Sequence, residues 1–243
     1  MLGVQLYTLR NCLNNDDNVR MTAKKLKEMG CLSVQLFHGE KELEKMSEIF
    51  SSEGIEIIGT LTSIDKLEND PNLFETCKKY GLKDIGISSN VITDEDVDAL
   101  VSRVNAMADK AKNNGITFSY HNHACEFTRL SSGKTVMDRF LAEFNSNITF
   151  MPDTYWLQVG GVNVIEWIEK NGSRISILHL KDLTVLDRTP TFAEIGQGNL
   201  NFPSIIKTAM SVGVNNFIIE QDICRRDPFE SVKISIEYLR GVL

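Results

Sequence analysis

The 243 residues, 42% of them hydrophobic, suffice for a sizeable core, and the length matches one α/β barrel without requiring a second domain. The net charge of −7, from 33 acidic and 26 basic side chains, disfavours a nucleic-acid surface built on clustered Lys and Arg; a small anionic substrate held by a local Arg pair stays open. No basic leader precedes the first strand pattern, and no apolar run approaches the about 20 residues that span a bilayer, so a cytoplasmic protein without a membrane partner is expected.

The chain alternates short apolar runs with longer amphipathic stretches. The first strand is expected over 3–7, with a helix over 17–29 that stops at Gly30. A second strand over 33–37 leads to a helix over 40–52 and a stop at Gly54. The third covers 55–59, with a helical segment over 71–80 ending at Gly81. The fourth covers 84–88, followed by a long helix over 94–113 and Gly115. The fifth covers 116–121, with a helix over 135–143. The sixth covers 148–151, with a helix over 164–170 and a stop at Gly172. The seventh covers 174–180 and is followed by a long segment without clear structure, 182–201, then a helix over 202–212 and Gly213. The eighth covers 216–220 and the last helix 228–239.

These are eight βα units of roughly thirty residues each, a cadence that implies a parallel sheet with crossover helices. Eight units favour closure into a (β/α) barrel over an open doubly wound sheet. Thr8-Leu9-Arg10-Asn11 stands after the first strand where a nucleotide-binding sheet would carry glycines. No linker divides the chain, so residues 1–243 are expected to form a single domain. The five cysteines are scattered and form no Cys-x-x-Cys pair, which suits reduced thiols.

Polar residues recur at one level of this repeat. His121, with Glu126 close behind, Asp153, His179 and Glu220 each end an apolar strand-like run. Strand side chains alternate between faces, so His121 shares a face with Thr117 and Ser119, and His123 continues that line. Asp153 has the parity of Thr149 and Met151, His179 that of Ile177, and Glu220 that of Ile218. If all face the lumen, they converge at the C-terminal mouth, where oxygen and nitrogen donors suit a divalent cation. Taken singly, Asp153 reads equally as a helix cap, His179 as a hydrogen-bonded core residue and Glu220 as a solvated strand end.

Several stretches together resemble the xylose-isomerase-like sugar phosphate isomerase/epimerase family of TIM barrels, in the superfamily of endonuclease IV. They are Gly3-Val4-Gln5-Leu6-Tyr7-Thr8-Leu9-Arg10, Tyr120-His121-Asn122-His123-Ala124-Cys125-Glu126-Phe127, Asp153-Thr154-Tyr155-Trp156-Leu157-Gln158-Val159-Gly160-Gly161, His179-Leu180-Lys181-Asp182, Glu194-Ile195-Gly196-Gln197-Gly198-Asn199 and Glu220-Gln221-Asp222. The resemblance covers nearly the whole chain. It implies a (β/α)8 fold and one divalent metal ion, Mn2+ before Mg2+, Co2+ or Zn2+, with Asp153, His179 and Glu220 as ligands. Many relatives place a Glu at the end of the fifth strand. This chain has His121 there and Glu126 in the following loop, so the fourth ligand is Glu126 by charge or His121 by parity, with Glu126 favoured.

The chemistry implied is isomerisation or epimerisation of a sugar, keto-sugar or sugar phosphate through an enediolate, with Glu126, Glu220, His121 and His123 as candidate bases. Lys181, His38, Trp156 and Arg225 are candidate substrate contacts. Loss of a β-substituent from the same enediolate would make the protein a lyase or dehydratase on a keto-sugar or cyclitol, and a non-catalytic sugar-binding barrel is a further alternative. DNA repair of the endonuclease IV type needs a His-rich zinc cluster, which four histidines and an acidic balance do not favour. A homo-oligomer is left open.

Overall fold

The computed structural model describes residues 1–37, 43–70 and 72–243. Its eight-stranded sheet is parallel throughout. In chain order the barrel strands are β1 (Leu2–Gln5), β2 (Ser33–Phe37), β3 (Glu56–Thr62), β4 (Asp84–Ile87), β5 (Thr117–His121), β6 (Ile148–Met151), β7 (Leu178–Leu180) and β10 (Phe217–Ile219). They lie in the order β6-β5-β4-β3-β2-β1-β10-β7. The two ends meet through parallel bridges Phe150–Ile175 and Asp153–His179, where His179 N donates to the Pro152 carbonyl at 2.9 Å. The sheet therefore closes as a barrel, and the open-sheet competitor is set aside. Among the described residues no helix is long and apolar enough to cross a membrane.

The crossover helices follow the expected cadence. They are α1 (Asp16–Glu28), α2 (Leu43–Ser52), α4 (Leu73–Tyr80), α5 (Asp94–Asn113), α6 (Val136–Glu143), α8 (Val164–Asn171), α9 (Phe202–Ser211) and α10 (Pro228–Arg240). Capping sets their starts: Thr135 Oγ1 accepts from Asp138 N at 3.0 Å while Asp138 Oδ2 accepts from Thr135 N at 2.8 Å. Gly30, Gly54, Gly81, Gly115 and Gly213 follow helices at positive φ, as the stop signals require. Gly172 differs: its φ is −52° and a Cβ there would lie 2.4 Å from Val212, so close packing keeps it a glycine. The expected starts of the second and third helices, near Glu40 and Pro71, lie outside the described residues, as does His38.

Other boundaries move for local reasons. The first strand stops at Gln5, whose side chain accepts from Tyr7 N and caps a 3-10 helix over Leu6–Cys12. The third strand runs on to Thr62, and a short helix α3 (Ile64–Asn69) follows, capped by Ser63. The seventh strand is shorter than expected, because Gly172–Arg174 form a 3-10 turn. Arg174 bends back to donate to the carbonyls of Leu141, Asn145 and Ile148. A short helix α7 (Thr154–Val159) starts directly after β6. The segment 182–201, read as structureless, contains an antiparallel hairpin, β8 (Asp182–Leu186) and β9 (Thr189–Ala193). Asp187 and Arg188 make its turn at φ 49° and 67°, without the glycine that usually announces such a turn.

Alternation sorts the strands into two cores. Outward residues such as Val4, Val34, Ile85, Phe118, Phe150, Leu178 and Ile219 join the helices in one large apolar cluster. Inward residues are layered along the lumen. At the N-terminal end Ser119 Oγ donates to Asp84 Oδ1 at 2.5 Å. Above them Ile58, Met151, Ile177 and Ile218 form a separate apolar plug. A fully buried aliphatic side chain contributes roughly 1.5–3 kcal/mol, so this plug makes a rigid floor for what lies above it.

Candidate metal centre

Above the plug, each inward strand end carries a polar group. His121 closes β5, Asp153 lies just beyond β6, His179 is in β7 and Glu220 follows β10. All four are buried, and one ligand atom from each lies within 4.8 Å of the others. The convergence expected from parity is therefore present in the structure.

Asp153 divides its carboxylate. Oδ1 accepts from Trp156 N at 3.0 Å and caps α7, while Oδ2 faces the centre, 3.7 Å from His121 Nε2. The helix-cap reading and the site reading of this residue both hold, one for each oxygen. Glu220 Oε2 meets His179 Nδ1 at 2.9 Å and His121 Nε2 at 3.6 Å. Glu220 Oε1 takes no partner among the described residues. Lys181, one residue beyond β7 and fully buried, reaches Asp153 Oδ2 at 2.9 Å, Glu220 Oε2 at 3.1 Å and Asp222 Oδ1 at 2.9 Å. Its ammonium also lies 5.5 Å from the centre of the Trp156 ring.

These contacts set the charge states. Burial alone would raise the Glu220 carboxyl, but Lys181 and the two imidazoles beside it hold it well below the usual carboxylate range. Asp153 is likewise lowered, burial being outweighed by Lys181 and His121. Burial disfavours the His121 cation, yet Asp153 and Glu220 lift its pKa to about 9. Burial drives His179 below its ordinary value despite Glu220. Burial, reinforced by the charges of His121 and Lys181, takes His123 down to about 4, leaving a neutral imidazole at pH 7.

The donor set fits a divalent cation. Two imidazoles and two carboxylates converge without hydrogen bonds joining them all. Both His121 nitrogens are buried and unbonded, and Asp153 Oδ2 touches Lys181 without hydrogen-bond alignment. Buried polar atoms left so are costly, and an ion at their shared focus would satisfy them.

Glu126, favoured from sequence as the fourth ligand, lies outside this set. Its Oε1 accepts from Tyr120 OH at 2.8 Å and its Oε2 from His123 N at 2.8 Å. Tyr120 belongs to the outward core, so the carboxylate is drawn to the helix side and pins the loop after β5. His121 is the fourth member of the convergent cluster, at the strand-end position. His123 and Trp156 stand at the mouth with ring centres 5.6 Å apart, and His123 Nδ1 and Trp156 Nε1 are buried without partners. Arg225 is exposed in the loop after β10, whereas its neighbour Arg226 pairs with Glu194 at 3.2 Å.

Three residues of the site were not assigned from sequence. Asp222 completes the cage of Lys181. Gln5 and Gln35, fully buried at inward positions of β1 and β2, lie behind His179. An amide inside an otherwise apolar strand, with lumen parity, was the signal available for both.

Residues 23–242 match the family described as xylose isomerase-like TIM barrel. An inosose dehydratase of Geobacillus thermodenitrificans is 24% identical over 169 residues, covering 62% of this chain and 56% of that protein. The chain thus aligns with little more than half the length of this curated relative. A sugar phosphate isomerase/epimerase from Parabacteroides distasonis superposes with a TM-score of 0.82 at 22% identity, over 98% of this chain and 97% of that one. The IolI protein, whose crystal structure carries a bound zinc atom, superposes with a TM-score of 0.74 at 14% identity over 99% and 97% of the two chains. With nearly its whole length matched and the barrel closed around inward strand-end donors, this chain belongs to the xylose isomerase-like TIM barrel family.

Proposed function

We propose that this chain is a divalent-metal-dependent isomerase or epimerase that moves a proton at the carbon next to the carbonyl of a sugar, keto-sugar or sugar phosphate. The observation that carries the reading is the pairing of a buried His/Asp/His/Glu set with one unengaged carboxylate oxygen, Glu220 Oε1. His121, Asp153, His179 and Glu220 would hold the ion, with Mn2+ first among the candidates because the family resemblance implies it. When bound, a divalent cation supplies Lewis-acid polarisation of a carbonyl oxygen.

The remaining work falls to the chain. Glu220 is held ionised at neutral pH, and its Oε1, without a partner among the described residues, would accept the proton from carbon. His123, a neutral imidazole with an unbonded Nδ1, is the second proton carrier at the mouth. Trp156 offers an indole N–H to a substrate hydroxyl and, with Tyr155 and Phe192, an aromatic wall. Lys181 balances the carboxylates and can meet a developing negative charge on oxygen. Glu126 acts indirectly, by fixing the backbone of His123. The similarity to an inosose dehydratase supports a second reading, in which the same proton abstraction is followed by loss of a β-hydroxyl from a keto-cyclitol.

The test is deuterium uptake from solvent by a panel of ketoses and keto-sugars with Mn2+ present. Glu220→Gln keeps size and one ligating oxygen but removes the base, and should lower exchange by at least about 100-fold. Wild-type exchange in that variant, with metal still bound, would remove Glu220 from the mechanism.

A further inference from the structure

His179 has two ring nitrogens, and the residues around it distinguish them. Nδ1 faces Glu220 Oε2 at 2.9 Å, and Nε2 faces Gln35 Oε1 at 2.8 Å. Which of them carries the proton follows from a chain of hydrogen bonds that begins at a backbone group. Tyr7 N–H can only donate, and it donates to Gln5 Oε1 at 3.1 Å. That fixes the orientation of the Gln5 amide, so its Nε2 must be the end that meets Gln35, as a donor to Gln35 Oε1 at 2.8 Å. Gln35 is thereby fixed as well. Flipping it would set two N–H groups against each other and aim its oxygen at Met151 Sδ, which now sits 3.3 Å from Gln35 Nε2. With Gln35 Oε1 an obligatory acceptor, His179 Nε2 must carry a hydrogen.

We infer that Gln5 and Gln35 are positioning residues that hold the Nε2 proton of His179 and so select Nδ1 as its cation-binding nitrogen. The relay is built into the fold. Gln5 and Gln35 are register partners on β1 and β2, both point inward, and both are fully buried, so bulk water does not compete for their amides. The 3-10 turn that ends β1 is part of it, because its second residue supplies the backbone N–H that starts the chain. Metal-ligating histidines commonly donate their other N–H to such a partner, which fixes the ring and raises its basicity. The cation half of the inference rests on the reading of the site given under Proposed function; the tautomer half does not.

The experiment has two arms. Long-range nitrogen–proton NMR of the histidine rings is recorded on metal-free wild type and on Gln35→Met, with the four histidines assigned by single substitutions. Zn2+ affinity of the same two proteins is measured by calorimetry. In wild type His179 should show a protonated Nε2. In Gln35→Met the ring should lose the Nε2 proton and keep only the hydrogen that Nδ1 holds toward Glu220, and Zn2+ should bind about 10–100-fold more weakly. Gln35→Glu, which keeps an acceptor, should restore the Nε2 proton. An unprotonated Nε2 in wild type overturns the inference. Unchanged ring signals and Zn2+ affinity in Gln35→Met also overturn it. A wild type that binds no Zn2+ yet shows the Nε2 proton, lost in Gln35→Met, upholds the relay and refutes the metal centre instead.

Discussion

Asp84 sits at the N-terminal end of the lumen, far below the polar mouth, and its carboxyl has one partner where it could have several. Oδ1 accepts from Ser119 Oγ at 2.5 Å, and Oδ2 is buried with none. Burial dominates over the Ser119 hydrogen bond and pushes the pKa to about 7. An unfolded Asp titrates near about 3.9. Between these values the folded chain holds a proton that the unfolded chain has released, so stability falls as pH rises through that window. It is then level above the folded pKa. Three pH units at about 1.4 kcal/mol each amount to roughly 4 kcal/mol, an upper figure if water reaches the site. Asp84→Asn mimics the protonated form. Urea unfolding at pH 5 should find the variant more stable than wild type by about 1.5 kcal/mol, and at pH 8 by about 4 kcal/mol. Taking the difference between the two proteins removes the pH dependence of every other group. Equal stability differences at both pH values would refute the account of Asp84 as a buried, protonated acid.

Lys181→Met should destabilise the metal-free protein by about 3–5 kcal/mol, because it leaves Asp153, Glu220 and Asp222 facing one another with only the His121 imidazolium to offset them. The same variant should bind Mn2+ more tightly by calorimetry, since the ammonium no longer contacts the two inward oxygens; weaker binding would mean that Lys181 assists the ion. Glu126→Gln should cost about 1–3 kcal/mol in urea unfolding through a lost or mismatched hydrogen bond, yet leave the metal content of the purified protein unchanged. Loss of the metal in that variant would return Glu126 to the ligand set.

Much of this was legible in the sequence for a simple reason. The helix–glycine–strand cadence reports backbone chemistry, so the barrel could be read directly, whereas alternation was only compatible with an inward aim of Asp153, His179 and Glu220, because the seventh and eighth strands are apolar on both faces. Glu126, favoured over His121 on charge, stands apart from the cluster. Glu126 lies in a loop, where alternation says nothing, and Tyr120 in the outward core captured it. His121, whose strand parity was clear, holds the place instead. The hairpin after β7 was hidden by a turn built from Asp187 and Arg188 and by short strands of mixed character. Asp182, quoted only as part of a motif, fixes that segment by accepting from the backbone N–H groups of Leu183, Gly196, Gly198 and Leu200. Contacts of that kind join residues distant in sequence and leave no periodic trace.

The central claim is that His121, Asp153, His179 and Glu220 hold one divalent cation. Anomalous scattering from crystals grown with Mn2+ tests it most directly. The account predicts a single strong peak at the C-terminal mouth, within about 2.0–2.6 Å of a donor atom from each of the four residues, with Lys181 drawn away toward Asp222. A peak that leaves out any of the four residues, or no peak while Lys181 Nζ still bridges Asp153 and Glu220, would contradict it.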